Sequence, residues 1–220
     1  MNRYAVLMLA GVLSGCTPQA ALLASAVPDG TASVLLSHTE HVPDANRRHI
    51  VALEQRHDWA GLARFADDNI RRDPHTPDWL LVAGYAYTQQ GRHDQAAERY
   101  REAVRLEPDE SLGWTLLAQS YRAAGHPQRA ANTLDNALLA RRDDPRLFAL
   151  LGDTQIDMQR WSDAISAYRD AVRLDAEYVP AWQGLQRAYA GAGRTREAQE
   201  AERMVQRLQE APKTGRTRSR

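Results

Sequence analysis

The 220-residue chain has a single cysteine, two phenylalanines and no net charge, with 28 Lys+Arg against 28 Asp+Glu. One cysteine excludes an intrachain disulfide framework and a cluster of thiolate metal ligands. Charge balance gives no reason to expect nucleic acid or an anionic membrane surface as a partner. Lys213 is the sole lysine, so arginine carries nearly all the positive charge, a compositional bias that marks no particular arginine as functional. No glycine-rich phosphate loop follows a strand pattern, and neither an HExxH zinc-protease sequence nor a nucleophile elbow is present. The acidic residues follow the helical period and isolate no acid–base pair. We therefore expect no catalytic residues, no metal, no cofactor and no enzyme. A 43% hydrophobic fraction and 25% charged residues are ordinary for a protein with a real core.

The seven histidines offer no better site. His38 and His41 flank Thr39-Glu40 without a third ligand. His93 and His126 fall at or near turns, His49 and His57 on a helical stretch, and His75 in a linker, all read as polar surface.

The lone cysteine has an unusual setting. Met1-Asn2-Arg3 is a short positive start, Tyr4 to Leu13 is apolar, and small residues Ser14-Gly15 precede Cys16. This is the layout of a secretory signal, and the apolar run is too short to span a bilayer, which takes roughly twenty residues. Leu13-Ser14-Gly15-Cys16 resembles the lipobox of bacterial lipoproteins. That resemblance implies a signal peptide over 1–15 and a lipidated Cys16, with palmitate-type acyl chains as the membrane anchor. Thr17, where inner-membrane retention often uses Asp, implies the outer membrane, facing the periplasm, with inner-membrane anchoring left open.

Residues 16–42 read as a tether with two short apolar stretches, Ala20 to Val27 and Ala32 to Leu36, separated by the turn residues Pro28-Asp29-Gly30. Whether either stretch docks on the folded part is undecided by the sequence.

From Pro77 the chain repeats every 34 residues, giving units 77–110, 111–144, 145–178 and 179–212. Position four of the units holds Leu80, Trp114, Phe148 and Trp182, and position twenty is alanine in all four (Ala96, Ala130, Ala164, Ala198). Position eight is Gly84, Ala118, Gly152 and then Gln186; position eleven is Tyr87, Tyr121, Gln155 and Tyr189. Position twenty-four is Tyr100, Leu134, Tyr168 and Glu202. Positions four, seven, eight and eleven share one face of a first helix; twenty, twenty-four and twenty-seven share one face of a second. Gly91, Gly125 and Gly193 occupy position fifteen, where a turn between helices favours glycine. Pro127 suits the start of a second helix, and Pro108 closes the first unit.

These residues resemble the tetratricopeptide repeat over 77–212. The resemblance implies an all-α fold, an α-solenoid of antiparallel helix pairs forming a TPR-like superhelix. Residues 43–76 read as one more degenerate hairpin, with Ala45 to His57 as a first helix. Asp58 then caps a second helix that carries Trp59, Leu62, Phe65 and Ile70 and ends before Pro74. Glu202 fits a terminal unit with no successor to pack on, and 213–220 is a basic tail expected to be disordered.

In the tetratricopeptide family the concave groove is lined by positions two, five, six, nine, twelve and thirteen. Carried over, these are Leu81, Val82, Tyr85 and Gln89; Leu116, Gln119 and Arg122; Leu150, Asp153 and Asp157; and Arg187. Leu116 and Leu150 are equally well read as packed between helices. Leu81 and Tyr85 stand where a carboxylate clamp would need Lys and Asn, so that ligand is not expected.

The layout resembles lipoproteins that assist pilus assembly, implying a periplasmic scaffold. Its partners would be other envelope proteins, such as a secretin or pilus-assembly component of a type IV or tight-adherence system, and no nucleic acid. An adaptor for peptidoglycan enzymes or for exopolysaccharide export is the alternative.

Overall fold

The computed structural model describes residues 42–210, and these form ten α-helices and no strand. Signal segment, Cys16, both apolar stretches of the tether, His38, His41 and the basic tail lie outside the described residues. The helices are α1 (Asp44–Gln55), α2 (Trp59–Arg72), α3 (Pro77–Gln89), α4 (His93–Leu106) and α5 (Ser111–Ala123). They continue as α6 (Pro127–Ala140), α7 (Pro145–Asp157), α8 (Trp161–Leu174), α9 (Val179–Gly191) and α10 (Thr195–Glu210). Each helix packs on its sequence neighbours, and first helices α5, α7 and α9 also touch in succession. The result is the expected all-α solenoid of antiparallel pairs.

The 34-residue register governs the backbone as well as the side chains. Every second helix starts at position seventeen of its unit: Trp59, His93, Pro127, Trp161 and Thr195. Just before it, the amide of position sixteen bonds the carbonyl of position eleven in all five units. Asp58 to Leu53, Arg92 to Tyr87, His126 to Tyr121, Arg160 to Gln155 and Arg194 to Tyr189 span 2.8 to 2.9 Å. That closure requires a left-handed residue at position fifteen. Gly91, Gly125 and Gly193 supply it with φ of 72°, 78° and 72°. His57 and Gln159 adopt the same conformation, φ 53° and 58°, without being glycine.

The left-handed turn at His57 corrects the expected end of the first helix: α1 stops at Gln55, not His57. It also puts residues 43–76 in the register of the later units. Asp58 caps α2 as expected, its carboxylate accepting from the Gly61 amide at 2.7 Å. The tether's last residue, Val42, is core: it is 2% exposed, and Arg47 Nε donates to its carbonyl at 2.8 Å.

Small and large side chains alternate across each hairpin. Tyr100 and Tyr168 at position twenty-four are fully buried, each against the glycine at position eight of its own unit. In unit 111–144 the pair becomes Ala118 with Leu134, a residue larger than glycine opposite one smaller than tyrosine. Tyr168 also lies over Gly184 of the following unit, so one ring fills space within and between hairpins. Trp114 and Trp182 join units differently, their indole N–H donating at 2.7 and 2.8 Å to the carbonyls of Pro108 and Ala176. Burying such aromatic surface contributes on the order of 2–3 kcal/mol per ring.

Candidate protein-binding groove

First helices carry the positions expected to face the concave side, and their burial changes along the stack. On α3, Asp78, Leu81, Tyr85 and Thr88 are all buried and only Gln89 is exposed. On α5, Leu116, Gln119, Arg122 and Ala123 are buried. On α7, Asp153 is half-buried and Asp157 exposed; on α9, Gln183, Arg187 and Ala190 are exposed. Val82, Leu116 and Leu150 sit in the core cluster, so packing between helices occupies them.

Tyr85, on the front helix, donates its hydroxyl to Glu54 at 3.0 Å and meets Trp59 edge-on, ring centroids 5.9 Å apart. Desolvation, then the Glu54 carboxylate, pushes its phenol well above the ordinary range. Glu54 and Trp59 belong to the N-terminal hairpin, which thereby reaches onto α3.

Toward the other end an ion ladder crosses three consecutive first helices. Arg122 Nε on α5 donates to Asp157 at 2.7 Å on α7, and its Nη1 lies 4.0 Å from Asp153. Arg187 on α9 donates to Asp153 at 2.6 Å. The Tyr168 hydroxyl, from the second helix behind, donates to the same Asp153 oxygen at 2.6 Å. Arg122 has a side chain only 3% exposed, whereas Arg187 is 54% exposed. Burial lowers the Arg187 pKa, but Asp153, Tyr168 and Asp157 together outweigh it and raise the guanidinium. Burial and Asp153 together push the Tyr168 phenol up. The ladder ties α5, α7 and α9 together around the buried Arg122 and leaves the Asp157 carboxylate and the Arg187 guanidinium at the surface of the groove.

The structure thus brings Arg122, Asp153, Asp157 and Arg187 together, while Leu81, Val82 and Tyr85 on α3, Leu116 and Gln119 on α5 and Leu150 on α7 are buried, and Gln89 is exposed at the end of α3. Sequence reasoning missed the Tyr168 link, which spans second and first helices and has no periodic signature. It also missed Asp144, whose buried carboxylate caps α7 by accepting from the Arg146 amide at 2.9 Å. An Asp directly before Pro145 at a helix start was the available signal. Among the described residues no group of three or more His, Cys, Asp or Glu is placed to hold a metal ion. No described helix is long and apolar enough to cross a membrane.

Nested hairpins in a 34-residue register with a side-chain-lined concave face define a tetratricopeptide-type solenoid. In agreement, a tetratricopeptide repeat family model matches residues 70–154. Superkiller complex protein 3 of Mus musculus is 27% identical over 107 residues, 49% of this chain and 7% of that protein. Tetratricopeptide repeat protein 37 of Xenopus laevis is 25% identical over 116 residues, 52% of this chain and again 7% of that protein. The match therefore spans a small fraction of these relatives' own length. Among solved structures, MamA 41-end from Desulfovibrio magneticus RS-1 superposes with a TM-score of 0.65 at 20% identity, covering 76% of this chain and 95% of that one. YrrB, described as a TPR protein with an unusual peptide-binding site, has a TM-score of 0.58 at 16% identity, covering 82% and 92%. At these identities the structural likeness establishes the fold, and repeats of this class serve protein–protein interaction.

Proposed function

We propose that this chain is a lipid-anchored scaffold of the cell envelope whose concave face holds a segment of another protein during assembly of an envelope machine, such as a type IV or tight-adherence pilus or secretion system. The observation that carries the binding role is the ladder Arg122–Asp157 and Asp153–Arg187, continuous across α5, α7 and α9 with Gln183 and Arg187 exposed beside it. An extended or helical polypeptide laid across α7 and α9 meets both charge signs, the Asp157 carboxylate and the Arg187 guanidinium, which selects orientation more than raw affinity. YrrB, with its peptide-binding site, supports a peptide ligand by likeness of fold. The lipid anchor and the outer-membrane, periplasm-facing location rest on Leu13-Ser14-Gly15-Cys16 and Thr17.

Two measurements test this reading. Cys16→Ser abolishes metabolic palmitate labelling if Cys16 is the acylated residue; persistent labelling removes the anchor. Deleting the gene reduces secretin multimers in the outer membrane if the pilus or secretion role holds. Unchanged multimers remove that role, and recovery of cell-wall enzymes with the purified protein assigns the adaptor role instead.

A further inference from the structure

We infer that Arg187 is the residue that reads the bound polypeptide: its guanidinium is bridged by the side-chain carboxylate of an internal Asp or Glu of the partner, and Gln183, one turn earlier on α9, pairs with the partner's backbone. The inference rests on the concave face being a polypeptide-binding surface and names the chemistry of its guest.

Three observations carry it. First, the arginines of the first helices differ in what they leave free. Arg146 commits both prongs of its fork to Asp144, Nε at 2.9 Å and Nη2 at 2.8 Å. Arg122 gives Nε to Asp157 at 2.7 Å, and its side chain is 3% exposed. Arg187 gives only Nη2, to Asp153 at 2.6 Å, and its side chain is 54% exposed. Its Nε and Nη1 bond nothing among the described residues. Nη2 carries a second hydrogen, so one edge of the fork stays whole for a carboxylate to bridge. Arginine in this state is a selective donor, since a planar carboxylate matches the edge and an amide or hydroxyl does not.

Second, the orientation of Arg187 is set before any partner arrives. The Asp153 carboxylate that holds it accepts the Tyr168 hydroxyl at 2.6 Å and lies 4.0 Å from Arg122 Nη1. Asp153, Tyr168 and Arg122 are positioning residues, and a guanidinium fixed in advance loses less freedom on binding. Two carboxylates, Asp153 and Asp157, face two guanidiniums in this cluster, so the free edge of Arg187 selects the ligand and the net field does not. Third, the stripe around Arg187 is open. Pro180, Gln183, Arg187 and Ala190 share one face of α9 and all are exposed, whereas Gln119 and Arg122, which stand on α5 where Arg187 and Ala190 stand on α9, are buried. The Gln183 amide donates and accepts at once and so pairs with the C=O and N–H of a main chain. Ala190 has no side chain beyond its Cβ and leaves room for that main chain beside Arg187.

Selection from a library of phage-displayed random dodecapeptides on the immobilised full chain, carrying Cys16→Ser, tests this. The peptides are joined to the coat protein by their C-terminal ends, so no free terminal carboxylate competes with side chains. The parent chain enriches peptides with Asp or Glu at one shared position. Arg187→Gln, which keeps donors but removes the charge, loses that enrichment and binds the parent's peptides about tenfold more weakly, as expected for a lost charge-assisted pair. Arg187→Glu reverses the preference to Lys or Arg at the same position, an outcome that needs a folded groove and so cannot come from misfolding. Peptides selected without an acidic position, or an acidic preference that survives Arg187→Gln, overturn the inference while leaving the binding role in place. Selection of no peptide by any of the three chains counts against the binding role, and this inference falls with it.

Discussion

The ring of Tyr168 fills the space that a side chain on Gly152 would need: a Cβ there would stand 2.7 Å from the ring carbons Cε1 and Cζ. The same relationship joins Tyr100 to Gly84, with 2.7 Å to Cζ, and is rescaled to Leu134 with Ala118. Helix separation inside a hairpin is thus set by the summed volume of positions eight and twenty-four, not by either alone.

Gly152→Ala should therefore destabilise the fold by about 1–3 kcal/mol through overpacking. Adding Tyr168→Leu recreates the neighbouring unit's pair and should recover part of that loss. A double-mutant cycle by chemical denaturation reads the coupling, and additive effects would refute direct contact.

Position fifteen gives a second test. Gln159 holds a left-handed backbone, φ 58°, that its sister units assign to glycine. Gln159→Gly should stabilise by up to about 1 kcal/mol, since a left-handed non-glycine residue costs roughly that much, less glycine's own entropy. Gly125→Ala should destabilise by a similar amount; thermal melts of both variants check the opposite signs.

The ladder predicts an asymmetry. Arg122 is almost wholly buried, while the side chains of Asp153 and Asp157 are 19% and 35% exposed. Arg122→Met frees carboxylates that water can reach. Asp157→Ala leaves a buried guanidinium without its 2.7 Å partner. The second should cost more, by on the order of 1–2 kcal/mol in denaturant unfolding.

Asp144 predicts a pH effect. Burial pushes its carboxyl up, but the Arg146 side chain, backbone amide and charge outweigh that, leaving it below the ordinary carboxylate range. A depressed folded value means stability that is fully present above the unfolded pKa, about 3.9, and lost as pH falls through the lower folded value. Asp144→Ala should cost about 1 kcal/mol at pH 7, mainly through the lost cap. The gap from the parent protein should close below about pH 4, read from urea midpoints across pH.

The repeat was legible in the sequence because nesting needs the same side-chain size at the same position in each unit, as Ala96, Ala130, Ala164 and Ala198 show. The turn residues Gly91, Gly125 and Gly193 were legible for the same reason. His57 and Gln159 were not, because the conformation there is imposed by flanking helices on residues whose identity does not ask for it. In the groove, Arg122, Asp153, Asp157 and Arg187 could be placed on one surface by counting. Their pairing could not, since the ladder joins residues 34 and 35 apart through side-chain reach that period alone does not encode. The burial of Asp78, Leu81 and Gln119 was equally hidden, because it depends on packing between units that the period does not report.

The central claim, that the open rear of the concave face receives another polypeptide, is tested most directly by paired crosslinking in intact cells. p-Benzoylphenylalanine replaces Gln183 in the groove, or Leu139 on the second-helix side, which is 69% exposed. The account predicts one discrete protein adduct from Gln183, diminished when Arg187→Glu inverts the neighbouring charge, and no such adduct from Leu139. Equal adducts from both sites, or none from Gln183, would contradict it.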